Sequence, residues 1–205
     1  MGIGSTIPSF GVDSILHLLP LEKSQICPYL VEQISSTALD LKMGQYQVNS
    51  SNSRNFDLTK DNIHLGELSY PKWYTFNAEI ILADLSRYQL VPQGRWDATI
   101  QLKQDHKTLM DFKMGWKGII LSNITDGNRD EYLLTLKSLL SSKYVLMDAN
   151  GKELLGIELE LKWNQSHFDY HILTVDEFDN FYHPELFLLT TIHAVNYYLT
   201  VVIGS

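Results

Sequence analysis

From about Phe56 onward, apolar and polar residues alternate in short segments with a period of two. Ile80 with Leu82, and Ile100 with Leu102, are typical of these segments. Such a period places successive side chains on opposite faces of a strand, so each segment predicts a half-buried β-strand. Many short strands separated by turn residues indicate an antiparallel sandwich or barrel.

The clearest turn signal lies at Asn150 and Gly151, between two apolar segments. Both residue types tolerate positive backbone φ angles, which tight hairpin turns require. The pair therefore predicts a β-hairpin that joins a strand ending near Met147 to a strand beginning near Leu154.

A weak internal repeat runs through the alternating region. Three similar stretches each precede a tryptophan: residues 65–68 before Trp73, residues 107–114 before Trp116, and residues 155–158 before Trp163. In this alignment Leu65 corresponds to Leu155. We predict three units of roughly 45 residues, each ending in a tryptophan-bearing strand. Each unit is predicted to be a hairpin that needs its neighbours to bury its apolar face.

The beginning of the chain follows a helical pattern instead. Four apolar residues recur at helical spacing: Leu30, Ile34, Ala38 and Leu41. Pro28 suits the first turn of such a helix, and Gly44 suits its end. Residues 49–55 are polar and lack a period, which predicts a loop. In this interpretation residues 1–55 form an N-terminal helical extension and polar loop, and residues 56–205 form the β-barrel.

The longest apolar stretch runs from Leu186 to Ile203 and carries no formal charge. Pro184 precedes it and suits a helix N-terminus. Its length approaches that of a membrane span, but His193 and Asn196 lie in its middle, where hydrocarbon would penalise them. A helix that is apolar on all sides can lie inside a protein instead. We therefore predict a buried C-terminal helix rather than a tail anchor.

The composition narrows the possible partners. The chain has 205 residues, a hydrophobic fraction of 44% and a formal net charge of -8. This acidic balance argues against a nucleic-acid partner and against broad attraction to anionic lipid. The single cysteine, Cys27, excludes an intrachain disulfide and fits a reducing compartment, so we expect a cytoplasmic location. Gly2 and Thr6 match the permissive N-myristoylation pattern, but no basic second anchor follows.

No set of residues predicts an active site. His167 and His171 flank Asp169, but on a strand their backbones would lie roughly 13 Å apart, too far for one metal ion. Residues 126–137 begin like a calcium loop and then lack its glycine and its final glutamate. The acidic residues of segment 176–180 are interpreted as a solvated loop. We expect no catalytic residue, no metal and no cofactor, and the ligand-binding residues are not predicted.

The chain has four tryptophans: Trp73, Trp96, Trp116 and Trp163. Their positions allow two interpretations. They could line an apolar ligand pocket, or they could fill a closed barrel against the terminal helix. We favour the core, because a helix in the lumen would leave little room for a ligand.

Repeated antiparallel hairpins with a terminal apolar helix resemble the tubby C-terminal-like superfamily, which includes tubby proteins, phospholipid scramblases and plant LURP-one-related proteins. The residues that carry the resemblance are 144–155, 163–170 and 185–198, and residues 72–120 look like an earlier copy of the same unit. The resemblance implies a closed barrel around a central helix. Tubby proteins bind phosphoinositide headgroups through basic side chains, and no such cluster maps onto this sequence. Scramblases carry a palmitoylated cysteine-rich segment, which one cysteine cannot supply, and an acidic calcium segment, which residues 176–180 could imitate.

We therefore expect a non-enzymatic tubby-like barrel that binds a protein or a membrane lipid through its outer surface. Two alternatives stay open. One is a membrane-attached, scramblase-like protein that uses the C-terminal helix. The other is a barrel that holds an apolar small molecule inside.

Overall fold

The computed structural model describes residues 44–72, 76–94, 99–125, 127–138, 142–161 and 168–203. These residues form twelve strands, a short 3-10 helix and one α-helix: β1 (Gly44–Asn52), β2 (Asn55–Lys60), β3 (Ile63–Ser69), β4 (Ala78–Leu82), β5 (Arg87–Gln93), β6 (Thr99–Gln104), β7 (Lys107–Gly115), β8 (Gly118–Thr125), β9 (Asn128–Ser138), β10 (Lys143–Met147), β11 (Glu153–Leu161), β12 (Phe168–Thr174), the 3-10 helix (Asp176–Asn180) and α1 (Pro184–Tyr198). Leu199–Ile203 continues α1 as a wider π-helical turn.

The sheet closes into a barrel. Each strand pairs antiparallel with its neighbours in chain order, and β1 also pairs with β12. Side chains that point inward, such as those of Ile80, Leu90 and Leu102, are fully buried. The period of two predicted an antiparallel sandwich or barrel, and the closed barrel that the resemblance implies is confirmed.

The prediction of a polar loop over residues 49–55 is wrong. This segment completes β1, makes a short turn and begins β2. The strand signal is weak because the outward residues are polar and the inward position Ser50 is a serine. Gly44, predicted to end a helix, opens β1 instead, so the barrel begins before Phe56. The helix predicted from Pro28 onward lies outside the described residues.

The predicted hairpin at Asn150 and Gly151 is confirmed and joins β10 to β11. The Gly151 N–H donates to the carbonyl oxygen of Asp148 at 3.0 Å, and the Asp148 N–H donates to the carbonyl oxygen of Lys152 at 3.0 Å. Of the two predicted turn residues, only Gly151 has a positive φ, at 81°. The connection is therefore a type I turn closed by a left-handed glycine, a common hairpin form.

The barrel consists of three four-strand units: β1–β4, β5–β8 and β9–β12. The three similar sequence stretches lie on β3, β7 and β11, the third strand of each unit. The second and third strands of every unit shift register at the same place, and these places are Leu58/Thr59, Leu102/Lys103 and Leu146/Met147, at a spacing of 44 residues. The repeating unit of the structure therefore has four strands, twice the number in the predicted hairpin.

The register also corrects the sequence alignment by one residue. The strand partners of the three equivalent leucines are Gly66, Met110 and Leu155, in the order of the units. The sequence alignment equated Leu65 with Leu155, whereas the structural equivalent of Leu155 is the next residue, Gly66. A one-residue slip in a strand moves a side chain to the opposite face, and Leu65 is only half-buried whereas Leu155 is buried.

α1 runs through the barrel lumen, which confirms the predicted buried helix. Its side chains are buried on every side, from Leu186 to Tyr197. The helix approaches β3 at Gly66, where an added Cβ would lie only 3.2 Å from Cδ1 of Leu189 and 2.9 Å from the carbonyl oxygen of Ile81. Glycine at this position therefore lets the helix lie close to the wall. Within the described ranges, no helix has the length and hydropathy needed to cross a membrane.

The prediction that tryptophan fills the core is wrong for Trp116. Its side chain is fully exposed at the turn between β7 and β8. The other three tryptophans lie outside the described residues. The inward positions are filled instead by leucine, isoleucine, tyrosine and phenylalanine.

Ending the chain at Pro184 should abolish the folded state, because the barrel would lose the apolar filling of its lumen. The truncated protein is expected to aggregate or to show no cooperative thermal transition. A matched control ends at Thr200, which leaves all of α1 in place, and should remain soluble with a thermal transition. A soluble truncated chain with an unchanged transition would show that α1 is dispensable.

Candidate functional site

Two features of the described residues qualify as candidate sites: a polar cluster in the lumen and an apolar groove on the outer face. The lumen cluster joins α1 to the barrel wall. Asn196 Nδ2 donates to the Tyr70 hydroxyl at 3.1 Å, and that hydroxyl lies 2.7 Å from Nδ1 of His193. The Tyr170 hydroxyl donates to Oδ1 of Asn196. Two helix residues are thereby bonded to two wall residues.

These hydrogen bonds favour one tautomer of His193. Because the Tyr70 hydroxyl oxygen accepts a hydrogen bond from Asn196 Nδ2, its own hydrogen is free to point at Nδ1 of His193. Nδ1 is then the acceptor, and the proton of the neutral ring lies on Nε2. No described residue lies within hydrogen-bonding distance of that buried Nε2. Phe112 meets the imidazole edge-to-face, with the ring centroids 5.6 Å apart.

The interior of the cluster is enclosed, whereas Tyr70 and Asn196 at its edge are half-buried. His193 is completely buried, and burial alone lowers its pKa to about 3. Burial also raises the pKa of Tyr70 and Tyr170. All members are therefore neutral near pH 7. A neutral cluster whose hydrogen bonds run between the helix and the wall fixes the position of the helix and offers little surface to a partner.

The outer groove has a volume of about 600 Å³ and lies across β8, β9 and β10. Its apolar lining consists of Trp116, Ile120, Tyr132, Leu133, Met147 and Ala149. Three of these residues form one row of strand partners, because Ile120 pairs with Leu133 and Leu133 pairs with Met147. All three side chains point outward and are half-buried.

Two equivalent rows elsewhere in the barrel show which residues the same positions contain there. The equivalent row in the first half of the barrel is Glu79, Gln89 and Lys103. The row formed by β12, β1 and β2 is His171, Gln47 and Thr59. Met147, Lys103 and Thr59 each follow the register shift of their own unit, which fixes the correspondence. The fold therefore accepts polar residues at these positions. Folding alone does not explain why the row of Ile120, Leu133 and Met147 is apolar.

Charged residues of opposite sign flank the outer groove. Lys117 lies beside Trp116 at the β7–β8 turn, and Glu131 and Asp148 line the other end. The Asp148 carboxylate accepts hydrogen bonds from the backbone N–H groups of Lys152 and Asn150, each at 2.8 Å, and these bonds lower its pKa. The charge on Asp148 is therefore present across the neutral range.

The acidic segment before α1 is held by the barrel rather than free in solvent. The Tyr46 hydroxyl donates to Oδ1 of Asp179 at 3.0 Å, and Lys60 lies 3.6 Å from the same oxygen. Lys152 Nζ lies 2.6 Å from Oε1 of Glu177. These contacts attach the 3-10 helix to β1, β2 and the β10–β11 turn.

The described residues contain no group of three or more side chains suited to a metal ion. His171 binds Glu160 Oε2 at 2.9 Å through Nε2. His167, predicted from its spacing to be too distant to share a metal ion with His171, lies outside the described ranges. Asp169 accepts hydrogen bonds from the backbone N–H and the hydroxyl of Ser50, at 2.7 and 3.0 Å.

Comparisons with protein-family models, with curated proteins and with solved structures give no match to this chain.

The outer groove was missed by the analysis of the sequence, although a signal for it exists. Each contributing strand breaks the alternation with three or more consecutive apolar residues, and these runs are Ile119–Leu121, Tyr132–Leu134 and Tyr144–Met147. In a closed barrel at least one member of each run must point outward. The sequence did not reveal that the three outward members would be neighbours, because that depends on register.

The buried imidazole of His193 should make the protein less stable in acid. An unfolded histidine has a pKa of about 6.5, so between about pH 6.5 and pH 3 the unfolded state binds more protons than the folded state. The contribution of this residue is complete above pH 6.5 and falls by roughly 1.4 kcal/mol per pH unit as the solution is acidified.

Urea unfolding of the wild type and of His193→Asn at pH 7.5, 6, 5 and 4 checks this. Asparagine carries its acceptor oxygen on Cγ, the atom that bears Nδ1 in histidine, so it keeps an acceptor for Tyr70 but does not titrate, and the wild type should lose its advantage over the variant as the pH falls. Because the exposed histidines and the carboxylates are common to both proteins, the difference between the two unfolding free energies isolates His193. Parallel pH profiles would contradict the assignment.

Proposed function

We propose that the chain is a non-enzymatic binding domain of tubby-like type that holds an apolar segment of a partner polypeptide in the outer groove. The resemblance implies a closed barrel around a C-terminal helix, and the observed barrel of this kind supports the tubby-like assignment. The proposed action through the outer surface then concerns β8, β9 and β10.

The observation that carries the proposal is the contrast among the three equivalent rows. Two of them are polar, as expected of a solvated outer face, and one consists of Ile120, Leu133 and Met147. Contiguous exposed apolar surface is costly to a soluble protein and often marks an interaction site. The fully exposed Trp116, which lines the same groove from the β7–β8 turn, adds a residue type that is enriched at binding hot spots.

A polypeptide fits the outer groove better than a lipid does. Glu131 and Asp148 lie at one end and would repel an anionic headgroup, whereas Lys117 lies at the other. A peptide can carry both signs of charge together with apolar side chains. Recognition must use these side chains, because every strand of the closed barrel already has two neighbours and none is free to accept an added strand.

The alternatives find less support. A barrel that holds a small molecule inside needs free lumen, and α1 occupies that space. A scramblase-like protein that inserts its C-terminal helix would have to remove from the core the helix that fills it. Both alternatives would use surfaces other than the outer groove.

Panning a phage library of random seven-residue peptides against the full-length protein tests the proposal. We expect enriched peptides rich in aliphatic and aromatic residues. Synthetic copies should bind in fluorescence anisotropy, and Leu133→Gln should weaken the binding at least tenfold. Glutamine occupies the equivalent position in both other rows, at Gln89 and Gln47, so the variant should keep its stability within about 1 kcal/mol.

Gln89→Ser is the matched control, because it changes the same position in a row that lines no part of the outer groove. It should bind the selected peptides like the wild type. A parallel experiment measures sedimentation with vesicles of phosphatidylcholine and phosphatidylserine. If the library yields no peptide sensitive to Leu133→Gln, while vesicle binding depends on Trp116, the polypeptide proposal is wrong and the groove binds membrane.

A further inference from the structure

The distribution of charge along the outer groove points to a narrower class of partner. Resting on the proposed function, we infer that the groove selects an apolar segment that ends in a lysine or arginine, with the cationic residue at the Glu131–Asp148 end. The inference depends on where the charges lie, which the apolar lining alone does not determine.

The acidic end is a permanent feature. Asp148 is held in place by its two backbone hydrogen bonds and remains ionised. Asp148 and Glu131 both line this end of the groove, so it carries two carboxylates. This end of the groove is therefore electronegative.

Glu131 is available to a cationic partner. Its Oε1 lies 3.5 Å from Nε of Arg129, a long contact on the solvent side. The guanidinium of Arg129 makes its shorter contact, 2.8 Å, with the nearly buried carboxylate of Asp111. Arg129 therefore chiefly neutralises Asp111. Glu131 is more than half exposed, with 56% of its side-chain surface accessible.

The opposite end repels a cation. Lys117 lies at the β7–β8 turn, and no ion pair involving it occurs in the part of the chain that the structure describes. Lys113 is the strand partner of Ile120 and is also exposed. A segment with a cationic end is thus favoured in one orientation only, with that end away from the turn.

The spacing fits a short segment. Met147 and Ile120 lie two strands apart, roughly 10 Å, and three residues along β8 separate Ile120 from Lys117, roughly 10 Å more. The diagonal of about 14 Å corresponds to four or five residues of an extended chain. Three apolar residues followed by one cationic residue therefore match the length of the outer groove.

The test repeats the peptide selection in parallel on four full-length proteins: the wild type, Glu131→Lys, Glu67→Lys and Leu133→Gln. Glu67 points outward on β3, away from the groove, and its replacement changes the net charge by the same amount. We expect lysine and arginine to exceed aspartate and glutamate at least threefold at one end of the peptides that bind the wild type. Glu131→Lys should remove or reverse this excess, and Glu67→Lys should leave it unchanged.

The best wild-type peptide is then synthesised with capped ends and with arginine, glutamine or glutamate at the selected position. Because solvent-exposed ion pairs contribute little, the arginine and glutamine forms should differ two- to fivefold in Kd. If the three forms bind equally and Leu133→Gln still abolishes binding, the cationic end is wrong and the proposed function stands. If Leu133→Gln leaves the selected peptides bound, the proposed function fails. An equal effect of Glu67→Lys and Glu131→Lys would indicate attraction by net charge and overturn the inference.

Discussion

A barrel of twelve strands is too wide to be filled by its own inward side chains, and this constraint governs the rest of the structure. Eight strands enclose about as much space as side chains can fill, and a larger number leaves a channel unless something else enters it. Here α1 enters it, and the buried residues of the helix and of the wall form one core. A terminal segment that is apolar on all sides would aggregate in water. The wall would be hollow without it, so each part requires the other.

Apolar contacts alone hardly fix the depth and rotation of an apolar helix inside an apolar barrel. The hydrogen bonds of the polar cluster fix both. Tyr70 directly follows β3, near the start of the barrel sequence, and Tyr170 lies on β12, near its end. Both are hydrogen-bonded to the same helix residue, Asn196. A shift of the helix by one residue would leave these buried groups unpaired, which costs more than the bonds themselves contribute. The residues that argued against a membrane anchor are thus the ones that fix the helix inside the protein.

The sequence predicted the parts of the fold that depend on periodicity. Alternation predicted the strands, Gly151 predicted a turn, and the apolar stretch after Pro184 predicted the buried helix. β1 was missed because its outward residues are polar and Ser50 takes an inward position, so the apolar half of the alternation is weak. Trp116 was misplaced because size and hydrophobicity suggest the core, whereas its position at a two-residue turn decides its exposure. The outer groove could not be predicted, since its row is assembled across three strands by register.

The three-unit construction of the barrel has a consequence for how such a protein can change. The faces of the three units share one backbone geometry, and only one of them carries the apolar row. Exchanging Glu79, Gln89 and Lys103 for the residues of that row would place a second copy of the surface about a third of a turn away. The same chain would then be bivalent, able to bridge two partners without any new fold. Because the three faces are equivalent, further binding sites can be introduced one face at a time.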